Sequence, residues 1–204
     1  MTESSPDPLS VVETERALAR AVCLSGSDYL QAESALRGGG AVVATQLRTI
    51  AAGESDTLVR FVAVTIADWM DEPSDELTLA LQEIDKLERA KRGTPSPGPR
   101  PDVIELALSE EYEARIAPYL ALRLLKEDWP DWKVMGCLLY LEYQRVPATA
   151  PALALLALKA TDLQERELAL SALAATVGEP AVDARLDDAR TSLARLRAAD
   201  PMPP

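Results

Sequence analysis

Apolar residues recur along most of this chain at steps of three and four. Leu58, Phe61, Val62, Ile66 and Trp69 form one such stripe, and Leu77, Leu81, Ile84 and Leu87 form another. That spacing places each set on one face of an α-helix. No run alternates apolar and polar residues, so an all-α fold with negligible strand is predicted. Gly, Pro, Asp and Ser mark the breaks. Ser25-Gly26-Ser27-Asp28 separates an early helix from a short one ending near Arg37, and Gly38-Gly39-Gly40 precedes a helix over 42–52. Gly53 closes that helix, and Ser55-Asp56 is placed to cap the next. A turn at 71–74 leads into a long charged helix ending near Arg92. Beyond it, helices are predicted over 102–127 (continuous or broken), 131–145, 149–160 and 163–177. A last amphipathic helix carries Val182, Leu186, Ala189, Leu193 and Leu196 on one stripe.

Residues 93–101, GTPSPGPRP, are incompatible with regular structure. Alternating prolines suit a semi-rigid linker or loop, and they also resemble a proline-rich ligand motif. The predicted organisation is N-terminal hairpins over 1–92, this linker over 93–101, and C-terminal hairpins with a capping helix over 102–198, as two units or one continuous domain.

One helix opening occurs twice. Asp56-Thr57-Leu58-Val59-Arg60 leads into an aliphatic helix, as does Asp162-Leu163-Gln164-Glu165-Arg166. A weaker copy starts at Asp128, with its basic residue, Lys133, one place late. In paired helices, this pattern resembles HEAT-type repeats, whose second helix often opens with Asp followed by a Val-Arg pair. Asp56, Val59 and Arg60 match it; at the second copy Glu165 stands in place of Val. The resemblance covers roughly 40–70 and 115–178 and implies stacked helical hairpins, a HEAT-like α-solenoid. It also implies an architecture used mainly for binding, with Arg60 and Arg166 helping to tie repeats together. At i,i+4, Asp56–Arg60 and Asp162–Arg166 are further expected to pair on the helix surface, each Asp near a helix N-terminus.

Composition narrows the chemistry. Apolar residues make up 48% of the 204 and aromatics only 4%, so the core must be built from Leu, Val and Ala. The longest apolar runs fall well short of the roughly 20 residues of a membrane span. Residues 1–7 are polar and acidic, unlike a secretory leader, so a cytoplasmic location is expected. The net charge of −12 disfavours nucleic acid and anionic membranes, and suits a basic protein partner or solubility alone. Histidine is absent, which removes the commonest general base and metal ligand. No P-loop, dinucleotide fingerprint or nucleophile elbow is present. No catalytic residue, cofactor site or metal site is predicted. Cys23 and Cys137 lie in apolar stretches and read as core residues.

Two acidic stretches carry tryptophan at predicted turns. The first runs from Asp68 and Trp69 to Asp71, Glu72, Asp75 and Glu76; the second holds Asp128, Trp129, Asp131 and Trp132. Tryptophan anchors binding hot spots, and a carboxylate rim attracts a cationic partner. Trp69 reads instead as the buried end of its stripe. Partner-binding candidates are therefore Trp129, Trp132, Asp128, Asp131, Asp71, Glu72, Asp75 and Glu76. The expected function is non-catalytic binding of a protein partner, as an adaptor or scaffold, or as an immunity-type antagonist of a cationic toxin. The alternative is a HEAT-like DNA-binding protein or alkylpurine DNA glycosylase, with Asp128, Trp129 and Trp132 at its groove. A basic groove would then be required, and no cluster of Lys and Arg outweighs its neighbouring acids. Self-assembly through the Ala-rich 148–160 stretch is a third class.

Overall fold

The structure, a computed structural model, describes residues 9–70 and 110–199, and among these the side chains of all but 110–115, 132, 197 and 199. Every regular element among them is helical. The order is α1 (Val11–Cys23), α2 (Gly26–Gly38), α3 (Gly40–Gly53), α4 (Thr57–Met70), α5 (Glu110–Lys126), α6 (Asp131–Gln144), α7 (Ala150–Lys159), α8 (Leu163–Val177) and α9 (Val182–Ala199). Short 3₁₀ turns, Pro147–Thr149 and Glu179–Ala181, lead into α7 and α9. The breaks expected at Ser25, at the glycine triplet and at Gly53 fall at these boundaries. The predicted turn at 71–74, the long helix ending near Arg92 and the 93–101 segment lie outside the described residues.

Local chemistry sets the ends. Ser10 and Glu13 form a reciprocal capping box at the start of α1. Gly39 joins α2 to α3 where a Cβ would fall 2.1 Å from the buried Val43 side chain, and Gly40 follows at φ 55°. Only glycine fits that pair of positions without strain. Arg145 ends α6 in the left-handed region at φ 54°. Pro118 sits inside α5 without ending it.

Packing follows from the small side chains. α1 lies against α2 and α3 against α4, and α1 also contacts both α3 and α4. In the second half α6 and α8 lie side by side, while α5, α7 and α9 form another row. α4 packs against all three members of that row. α7 is the central helix: residues 152–157 are all buried, as expected of a helix apolar on every side. One apolar core runs from Leu18 in α1 to Ala189 in α9. Trp69 is buried as predicted, in a separate small cluster with Ile116 and Tyr119, its ring 4.6 Å from that of Tyr119.

Buried polar groups tie distant helices together. The Tyr119 hydroxyl donates to Glu33 at 2.8 Å, and Arg123 donates to the Tyr119 oxygen at 3.1 Å. Arg37 and Arg123 lie 4.0 and 3.9 Å from the Glu33 carboxylate, so this buried acid is compensated across α2 and α5. Lys126, only 4% exposed, donates to the Val22 and Leu24 carbonyls at 2.6 and 3.0 Å. It thereby satisfies the C-terminal end of α1 from the far end of α5.

Two expectations are corrected. The Asp–Arg pairs do not form within their helices. Asp56 caps α4, accepting from the Leu58 and Val59 amides at 2.9 and 3.2 Å. It also accepts from Ser192 at 2.8 Å and faces Arg195 at 3.5 Å, both on α9. Asp162 caps α8 through the Gln164 and Glu165 amides at 2.9 and 3.0 Å. Backbone donors at a helix start compete for the carboxylate, and they hold it away from the arginine one turn on. Arg60 and Arg166 are exposed. Cys137 is buried as expected, whereas Cys23 is exposed, because the buried stripe of α1 is Thr14, Leu18, Ala21 and Val22 and Cys23 lies past its edge.

Candidate functional site

The turn from α5 to α6 is short. α5 ends at Lys126, and Pro130, extended at φ −64°, precedes the first residue of α6. Its side chains line a cleft of about 290 Å³ with the end of α7 and the start of α8. Three of the residues predicted from sequence meet here: Asp128, Trp129 and Asp131. Glu127 and Glu165 join them, as do Lys126 and Lys159. The Trp132 side chain is not among those described. Asp71, Glu72, Asp75 and Glu76 lie outside the described residues.

Trp129 is held in place. Its indole N–H donates to Glu127 at 2.7 Å, and the Lys133 ammonium lies 4.0 Å from the ring centroid. Glu127 is in turn paired with Arg123. The indole is half-buried against the main core and lines the cleft. A rigid aromatic surface of this kind loses little side-chain entropy when it is covered.

The electrostatics divide by depth. At the mouth, Asp128 and Asp131 are exposed. Glu165 is half-buried, and burial followed by the Asp162 and Asp131 carboxylates raises it above its ordinary value. Deeper in, burial pulls Lys126 down to about 8, with the charge of Lys159 adding to the effect. Desolvation also lowers Lys159, although that residue is exposed overall. With Glu127 paired to Arg123, the remaining acids Asp128, Asp131 and Glu165 lie toward the mouth and Lys126 deeper in, with Lys159 also on the lining. Among the described residues, no group of three or more acids and cysteines is placed to hold a metal ion. None of the described helices is long and apolar enough to cross a membrane.

Sequence reading missed Glu165, Lys126 and Lys159. Glu165 was visible as an acid one turn into α8, three residues after its cap. Neither lysine carries a local signal, since each looks like an ordinary cation in the last turn of a helix. The chain matches no family model, and comparison with curated proteins and with solved structures gives no match.

Proposed function

We propose that this chain is a non-catalytic helical-repeat protein that binds a basic segment of a protein partner at the acidic cleft between α5 and α6. The observation that carries the reading is the convergence of Asp128, Asp131 and Glu165 around a fixed, half-buried Trp129. An anchor with a carboxylate rim is the arrangement that captures a cationic, partly apolar segment. The two rows α5–α7–α9 and α6–α8 support a HEAT-like stack of hairpins with α9 as its cap. In this reading the contact of α9 with α4 closes the stack at that point, beyond nearest-neighbour packing. Within this function the chain acts in the cytoplasm, as an adaptor in a larger assembly or as an antagonist that masks a cationic toxin.

The test captures partners from native lysate with the wild-type chain and with Asp128→Asn/Asp131→Asn/Glu165→Gln in parallel. Mass spectrometry identifies the bound proteins, and each is then titrated against both chains. The expected result is a basic protein bound by the wild type and weakened about tenfold or more by the triple variant, the loss of about 1.4 kcal/mol. Inhibition of that protein's activity by an equimolar chain marks an antagonist. Equal binding by both chains, or tighter salt-sensitive binding of duplex DNA, overturns the reading.

A further inference from the structure

A second cavity, of about 330 Å³, opens where α1, α4, α5, α7 and α9 meet. Its walls are Val22, Leu58, Leu155, Leu193 and Leu196. The polar side chains that line it are Lys126, Lys159 and Cys23. No carboxylate lines it, in a chain whose acids outnumber its cations 33 to 21. Neither ammonium lies within 4.0 Å of a carboxylate among the described residues. Both lysines line the cavity and the Lys159 charge disfavours the charged form of Lys126, a repulsion that a bound anion would relieve.

We propose that this cavity binds a single-chain amphiphilic carboxylate, a molecule of the fatty-acid class. The carboxylate would sit between Lys159 and the Lys126 N–H that the Val22 and Leu24 carbonyls leave over, and the hydrocarbon chain would lie along the leucines. The alternative occupant, a peptide ending in a carboxylate, fits the lining poorly. Its amides would enter a space whose polar side chains are two lysines, which only donate, and one thiol. Each unpaired amide costs on the order of 1–3 kcal/mol. A hydrocarbon chain has none to pair. The volume lies at the low end of small-molecule sites, which favours one short chain over a two-chain lipid. The cavity is distinct from the acidic cleft, although both lysines border the two, so the proposal does not rest on the partner reading.

The experiment titrates the full chain at pH 7 with decanoate below its micelle concentration, using calorimetry, with decyltrimethylammonium and acetate as comparators. The second readout is the rate at which a maleimide modifies Cys23, the exposed thiol, against Cys137, which is fully buried. Decanoate should bind one to one and slow Cys23 modification about fivefold or more at saturation, while acetate and the cationic amphiphile leave it unchanged. Because Lys159 is exposed, Lys159→Gln should fold normally and weaken decanoate about tenfold, with Lys159→Arg retaining most of the affinity. The proposal is overturned if the cationic amphiphile binds as well as decanoate, if Lys159→Gln binds like the wild type, or if decanoate binds without protecting Cys23.

Discussion

Asp56 and Asp162 look alike in the sequence and differ in what they hold. Both accept two amide hydrogens at a helix start, but Asp162 is exposed while Asp56 is 7% exposed and also receives Ser192 and Arg195. Removing the Asp162 carboxylate forfeits a cap, about 0.5–1 kcal/mol. Removing the Asp56 carboxylate forfeits a cap and leaves the buried Ser192 hydroxyl without its acceptor, so Asp56→Ala should cost about 2–4 kcal/mol. Urea denaturation of the two variants checks the contrast, which similar losses would sink. The same measurement on Arg60→Ala and Arg166→Ala should give changes within about 0.5 kcal/mol, since neither arginine pairs with its aspartate. The Asp-x-x-x-Arg spacing therefore revealed where helices start. It misled about the partner, because a helix-surface pairing rule carries no information on a residue 136 positions away.

Helix boundaries were legible because glycine, proline and capping residues act within a few positions. The cross-links between helices were not. Lys126 lies in a charged run, Lys126-Glu127-Asp128, that reads as solvated, yet it reaches carbonyls 104 and 102 residues back. This link makes stability depend on pH in a predictable direction. The unfolded lysine titrates near 10.5 and the folded one near 8, so between those values the unfolded chain holds the extra proton. Stability from this group therefore rises with pH from about 8 to about 10.5, and below 8 the full penalty applies. The two carbonyl acceptors favour the charged form and oppose the effect of burial, which makes about 3 kcal/mol an upper bound. The stability difference between wild type and Lys126→Met, followed by denaturation from pH 7 to 10, should move toward the wild type as pH rises. A difference independent of pH would mean that Lys126 titrates normally. Above pH 10 the trend reverses in the wild type. Burial and the Glu33 charge push Tyr119 up to about 12 and raise Tyr29 as well, so the unfolded chain loses those protons first. At the end of α6 a smaller effect is expected: Arg145→Gly should relieve the left-handed backbone and add about 0.5–1 kcal/mol, visible as a higher denaturant midpoint.

On the scale of the whole molecule, the proposed binding of a basic partner makes the charge of −12 and the cleft separable in kinetics. Encounter is steered by the summed field, so the association rate should fall as salt shortens the Debye length from about 10 Å at 0.1 M. Neutralising Asp71, Glu72, Asp75 and Glu76, which lie outside the described residues, should lower that rate with little change in dissociation if they belong to the steering field. Trp129 is different. Its indole is fixed by Glu127 and Lys133 and half-buried, so Trp129→Ala should speed dissociation among the molecules that remain folded. Acidification gives a separate signature. Without histidine, most of the surface charge holds constant until pH falls to the ordinary carboxylate range near 4. Glu165 departs from that pattern, because burial and the Asp162 and Asp131 charges raise it above its ordinary value. If a cationic partner sits against Glu165, its affinity should therefore begin to drop at a higher pH in the wild type than in a chain without that carboxyl. In Glu165→Gln, which lacks that titration, the drop should wait until ordinary carboxylates protonate. Dissociation constants for wild type and variant across pH 4–8 test this, and superimposable pH profiles would place the partner away from Glu165.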